Sequence, residues 1–289
     1  MRDTRDSHLL LLGFFVWKIV VTYVLLPVMF EWGWMPDSTT VMVVWHLAVF
    51  AVPLLAAWGF ARVHGRVLVA LRRPDAGLVL LSVFMGITIR PLGAVISFLT
   101  NIAGVDDSVI EGFTQIIVAT PLPLSLLFLA VMPSLTEELM FRGAISSGYR
   151  GVPVIKAALV NGVLFGLMHG NARQFFYAAM LGTLIAMVVI RAGSVLYGII
   201  MHFVINGVQV LVTAFTADTQ LPDISTPQAP LFMTLGIMAI IATLIYHRLY
   251  LRFKARCQTI NPITNQKNTP IHTTSLITVV FVGLLLMFS

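Results

Sequence analysis

Charge is what this sequence has least of. Of its 289 residues only 10% are Asp, Glu, Lys or Arg, while 58% are hydrophobic. A soluble domain carries about 25% charged residues, and a mean hydropathy of +0.93 excludes that class. The chain is an integral membrane protein, so its formal net charge of +6 reads as orientation signals in short loops rather than nucleic-acid binding. Cysteine is nearly missing. The single Cys257 excludes an internal disulfide and any multi-cysteine metal site, and it reads as an inert thiol in a cytoplasmic segment. There is no Gly/Ser linker, no soluble domain and no defensible internal repeat.

What is present is a series of long apolar runs. About 20 mostly apolar residues are needed to cross a bilayer as a helix, and the runs are continuous rather than alternating, which favours helices over a barrel. The expected fold is all-α: a polytopic transmembrane helical bundle of about eight or nine spans. They lie near 9–30, 40–61, 76–100, 122–148, 154–170, 174–190, 194–215, 229–247 and 274–289. The run after Arg2 and Arg5 is too long for a signal-peptide core and reads as a retained first span. Arg62, Arg66, Arg72 and Arg73, then Arg150 and Lys156, then Arg191, then Arg248, Arg252, Lys254 and Arg256 fall in alternate loops. Glu31 and Asp37, then Asp106, Asp107 and Glu111, then Asp218 and Asp223 fall in the others, where Arg173 is the one basic residue. This alternation puts the N-terminus in the cytoplasm. Nine spans leave the C-terminus outside and eight leave it inside. The polar stretch 257–273 is a cytoplasmic loop. The chain divides into N-terminal helices over 1–120, a chemistry-bearing core over 121–215, and C-terminal helices with the loop over 216–289.

Three motifs place ionisable groups in or at the end of apolar segments. They are Glu137-Glu138 with Arg142, Phe165 with His169, and His202 with Asn206. Charged side chains at membrane depth cost several kcal/mol and persist where they pair, line a cavity or do chemistry. Glu138 and Arg142 are four apart with the acid first, the favourable order for an intrahelical pair. Glu137, offset by about 100° on the helix, gets no such partner, which suits a general base. Each motif alone has an ordinary reading: a charged interface cap, a packing histidine, interhelical polar glue. Together they fit activation of water, with a carboxylate base, an imidazole to share the proton and donors for a developing oxyanion. The alternative is a divalent metal such as zinc held by Glu137, His169 and His202 with an open position for water. Absent are His-Glu-x-x-His, an Asp within any expected span, and Gly-x-Ser-Gly.

Other features have plainer readings. Gly162, Gly166 and Gly170, and Ala178, Gly182 and Ala186, recur every four residues and form small-residue faces for close helix approach. His46 has no polar companion at helical spacing and is set aside. Lys18 either snorkels or lines a cavity, and Arg90 beside Pro91 meets a buried acid or a substrate carboxylate.

Glu-Glu-x-x-x-Arg, Phe-x-x-x-His and His-x-x-x-Asn, in that order across four successive spans, resemble the CPBP family of intramembrane proteases. That family includes CAAX prenyl endopeptidases of the Rce1 type and bacterial relatives. The resemblance covers roughly residues 120–215. It implies that Glu137 activates water with His169 assisting, that His202 and Asn206 stabilise the oxyanion, and that Glu138, Arg142 and Phe165 support the site. It implies a glutamate-type endopeptidase with no resident cofactor, metal dependence being the alternative. A membrane protein or peptide substrate, the lipid bilayer as surroundings, no nucleic-acid partner and a bacterial inner membrane go with it. Glu137, read as near the cytoplasmic end of its helix, sets cleavage in the cytoplasmic half of the bilayer. A non-catalytic peptide-binding factor is the second reading. A transporter is the third, and the paired repeats with broken helices that would mark one are missing.

Overall fold

The computed structural model describes residues 4–34, 37–63, 71–105, 108–216, 229–260 and 269–287. Arg66, Asp106, Asp107, Asp218, Asp223 and residues 261–268 of the 257–273 loop lie outside the described residues. Among the described residues every regular element is helical. In chain order these are α1 (Thr4–Glu31), α2 (Ser38–Val63), α3 (Ala76–Thr100), α4 (Ser108–Ala119), α5 (Leu122–Tyr149), α6 (Val154–His169), α7 (Ala172–Ala192), α8 (Leu196–Thr216), α9 (Ala229–Ile260) and α10 (Thr273–Met287). Seven of these are long and apolar enough to cross a membrane: α1, α2, α3, α5, α7, α8 and α9. The shorter α6 and α10 have 16 and 15 residues. At 1.5 Å per residue they reach about 24 Å, short of a bilayer's hydrocarbon thickness.

The expected span limits differ from the observed ones chiefly in two places. Helix α9 runs on to Ile260, so Arg248, Arg252, Lys254 and Arg256 ride on a helix instead of a loop. Tyr246, Tyr250, Phe253 and Cys257 explain the extension: they recur at helical spacing and are all buried, so this face keeps packing beyond the apolar run. The second difference is α4, a helix between the third and fourth spans where a loop was expected. Its twelve residues are too few to cross.

Prolines shape the helices locally. Pro27 in α1 and Pro133 in α5 each follow a wide five-residue turn, Val21–Leu25 and Leu127–Val131. A proline has no N–H for the carbonyl four residues back, and its ring crowds that carbonyl, so the preceding turn opens. A further wide segment, Leu139–Ala144, begins directly after Glu138 and leads into a tight turn over Ile145–Tyr149. No proline causes it, and wide turns of this kind recur at functional sites.

Two apolar clusters fill the interior. One joins Leu11, Phe14 and Phe15 of α1 with Phe50 of α2, Phe141 of α5, Leu164 and Leu167 of α6, and Val279 of α10. The other joins Met85 and Ile89 with Ile185 and Val188 of α7, Met201 and Ile205 of α8, and Phe253 of α9. Large apolar side chains such as Leu55, Trp58 and Phe281 stay exposed, as a lipid-facing surface requires. Helices α6 and α7 form a tight hairpin: a Cβ built on Gly162 would lie 2.5 Å from the Ala179 carbonyl oxygen. Gly166 and Gly182 serve the same approach. Gly170 does not; its φ of +67° closes the α6 C-terminus, a left-handed conformation that glycine adopts without a Cβ penalty.

Candidate active site

The first motif lies at the centre of α5. Glu138 is fully buried, and its Oε1 accepts a hydrogen bond from Arg142 Nη1 at 2.7 Å. The same oxygen accepts from Nδ1 of His202 on α8 at 2.9 Å. Arg142 Nη2 donates to the Gly182 carbonyl on α7 at 2.8 Å, and the guanidinium carbon stands 4.4 Å from the centre of the Phe165 ring on α6. One ion pair thus fastens four helices. A buried charge is tolerable only when paired and hydrogen-bonded, and Glu138 with Arg142 meets that condition through Oε1, Nη1 and Nη2, while Glu138 Oε2 and Arg142 Nε have no hydrogen-bond partner among the described residues. The supporting role expected of Glu138 extends to orienting His202.

Glu137 is buried too, at 8% exposure, but on another side of the helix. It makes no hydrogen bond to any described residue. Its electrostatic neighbours are His202, Glu138, Arg142 and Lys18. Neither of its carboxylate oxygens is committed to a hydrogen bond with a described residue. It lies fifteen residues after Leu122 and twelve before Tyr149, so it sits near mid-helix rather than near the cytoplasmic end.

His169 is the last residue of α6, and its Nδ1 faces the Phe165 carbonyl at 3.0 Å. A carbonyl only accepts, so Nδ1 carries the hydrogen and Nε2 of the neutral ring is left with a lone pair. The Phe165 ring stands edge-on to His169 (5.1 Å), to His202 (6.0 Å) and to Phe141 (5.2 Å between centroids). Phe165 is the spacer that holds both imidazoles and carries the Arg142 cation on its face. Glu137 and His169 make no direct hydrogen bond to each other.

Asn206 is placed by α5. Its Nδ2 donates to the Leu129 carbonyl at 3.2 Å, and Leu129 is the residue four before Pro133. Proline's missing N–H is what leaves that carbonyl open to a side chain on another helix. The second Nδ2 hydrogen remains for another acceptor.

Three residues near the site were read too plainly or too openly from sequence. His46, set aside above, brings Nε2 to 2.7 Å from Thr136 Oγ1, next to Glu137, and stacks on Phe50 at 4.7 Å. The Thr136 hydroxyl donates its one hydrogen to the Met132 carbonyl at 2.9 Å, so His46 is the donor of the pair. Its companion lies on another helix, where spacing within α2 gives no signal. Lys18 reaches the Met168 carbonyl. Arg90 meets no acid among the described residues: its guanidinium donates to the Ile205 carbonyl at 2.7 Å and to Gln209 Oε1.

Among the described residues no group of three His, Cys, Asp or Glu side chains is arranged to hold a metal ion.

No curated protein and no solved structure matches the chain. Residues 119–208, the stretch that supplies Glu137, Glu138, Arg142, Phe165, His169, His202 and Asn206, match the family model described as Type II CAAX prenyl endopeptidase Rce1-like, which implies a membrane protease, a hydrolase, at the centre of this bundle.

Proposed function

We propose that the protein is an intramembrane endopeptidase of glutamate type, hydrolysing a peptide bond of a membrane-associated or lipid-modified protein or peptide. Glu137 takes a proton as a water oxygen attacks the scissile carbonyl carbon. His169, through its free Nε2, shares or relays that proton. His202 and Asn206 donate to the oxyanion; when the tetrahedral intermediate collapses, the C–N bond breaks and the proton passes to the leaving amine.

The observation that carries this reading is the contrast between the two adjacent glutamates. Glu138 is matched by Arg142 and His202, whereas the buried Glu137 has no hydrogen-bond partner among the described residues. A buried carboxylate left unbonded has no structural reason to be there. The hydrogen-bonded Nδ1 of each imidazole turns Nε2 toward other chemistry. Donation from His202 through Nε2 requires a hydrogen on both ring nitrogens, the one on Nδ1 being donated to Glu138. The alternation of basic loops supports a cytoplasmic N-terminus.

The test is proteolysis in reconstituted membranes, using a peptide library with and without chelator, on the wild type and Glu137→Gln. Cleavage that survives chelator and is lost in the variant is the expected result. Chelator sensitivity restored by zinc would assign the water activation to a metal. A phenotype retained by Glu137→Gln with no cleavage by either protein would favour a peptide-binding factor.

A further inference from the structure

Lys18 lies outside the matched stretch and at the middle of α1, fourteen residues after Thr4 and thirteen before Glu31. At 1.5 Å per residue either helix end is about 20 Å away, beyond what four methylenes span, so the ammonium has no route to snorkel to an interface. It turns inward instead. Nζ donates to the Met168 carbonyl at 2.5 Å, the residue directly before His169, and lies 5.6 Å from the centre of the Trp45 ring on α2. Its electrostatic partners include Glu137 of α5 and His169 of α6. Glu137 and His169, expected to work together, make no direct hydrogen bond; Lys18, Arg142 and His202 neighbour both, and of the three only Lys18 is not bonded to Glu138.

Capping alone does not account for a lysine here. A cation at a helix C-terminus is favourable, but that gain is small beside the cost of burying an ammonium at membrane depth. The charge inventory supplies the missing reason. Glu138 is matched by Arg142 and by His202, which leaves Glu137 as a second buried carboxylate without a bonded cation. Lys18 brings the positive charge from the opposite wall, on a helix that contributes no other group to the site.

We propose that Lys18 is a positioning residue of the active site: it is the counter-charge of Glu137 and, through the Met168 carbonyl, fixes the end of α6 that carries His169. This rests on the protease reading above. Lys18 therefore acts on the chemical step and not on substrate capture.

The experiment compares wild type, Lys18→Met, Lys18→Arg and Glu137→Gln in the same liposome peptide-cleavage assay, with thermal midpoints measured in detergent. Lys18→Met removes the cost of burying an ammonium together with a counter-charge and a hydrogen bond, and these offset, so its midpoint changes little, while kcat falls tenfold or more and KM holds within about twofold. Lys18→Arg restores at least a third of the wild-type kcat, because charge and donor are kept. Full kcat in Lys18→Met overturns the proposal, as does an Arg variant as impaired as Met. A lowered midpoint in Lys18→Met with equal losses in kcat and KM assigns a structural role and overturns it too. If the wild type itself cleaves nothing, the protease reading fails first; if it cleaves and Glu137→Gln does not, the outcome at Lys18 judges this proposal alone.

Discussion

His202 Nδ1 donates to Glu138 Oε1 across 2.9 Å between α8 and α5, and that one contact separates the roles of two neighbouring glutamates. The oxygen that orients His202 also takes the Arg142 guanidinium. Glu138 is thereby spent on holding the site together, while Glu137 keeps its charge for a water.

The two glutamates should divide on stability when each is replaced by glutamine. Glu138→Gln leaves Arg142 buried without its carboxylate, and removing one partner of such a pair costs about 3–5 kcal/mol. A large drop in thermal midpoint together with loss of cleavage is expected. Glu137→Gln removes a buried carboxylate that makes no hydrogen bond, so its midpoint should stay close to that of the wild type while cleavage falls by at least about 100-fold. Equal midpoints for the two variants would contradict the assignment.

Gly198 on α8 gives Glu138 its space. A Cβ there would stand 2.8 Å from Glu138 Oε2 and 2.6 Å from Val189 Cγ2. Gly198→Ala should push the carboxylate off His202 and cut kcat at least tenfold, with about 1–3 kcal/mol of overpacking strain. Steady-state kinetics alongside a melting curve checks this, and wild-type kcat would show that the carboxylate has room to shift.

Pro133 can be tested through Asn206. Pro133→Ala returns an N–H that bonds the Leu129 carbonyl within α5, in competition with Asn206 Nδ2. The helix should gain stability, since an interior proline costs about 3 kcal/mol, while kcat falls as Asn206 loses its anchor. A stabilised variant with undiminished kcat would remove Asn206 from the oxyanion side.

Acid sensitivity has a location outside the apolar spans. Asp75 accepts from Leu78 N as the cap of α3, and Arg256 Nη2 of α9 donates to its Oδ2 at 2.8 Å. The Arg256 hydrogen bond, helped by the backbone N–H of Leu78, holds the Asp75 carboxyl down to about 2. Because the folded chain binds this proton more weakly than the unfolded chain, the contribution is complete above about pH 4 and fades between about pH 4 and 2. Asp75→Asn should lower the midpoint slightly at pH 7 and not at pH 2, and salt should shrink the difference, as for any exposed pair. A deficit persisting at pH 2 would point to the cap and not the charge.

Much of this architecture was legible in the chain. Apolar runs of sufficient length located 76–100 and 122–148 within a residue of α3 and α5, because lipid demands continuous helix and leaves little freedom in where it ends. The i, i+4 spacing of Glu138 and Arg142 was enough to foresee their pair, since both lie on one helix. The candidate residues for chemistry stood out by type, because lipid makes ionisable groups too costly to keep idle.

Relations between helices were not legible. Composition and spacing established a membrane-embedded helical bundle, pointed to candidate residues for a site and separated Glu138 from Glu137. Only tertiary structure decided that Glu138 orients His202, that Phe165 spaces the two imidazoles, that Pro133 frees a carbonyl for Asn206, and that His46 and Lys18 come in from α2 and α1. The physical reason is range. A helix repeats its neighbours every three or four residues, so local spacing records contacts along one element. Contacts such as Lys18 with Met168, 150 positions apart, are set by how apolar faces and small residues let whole helices approach.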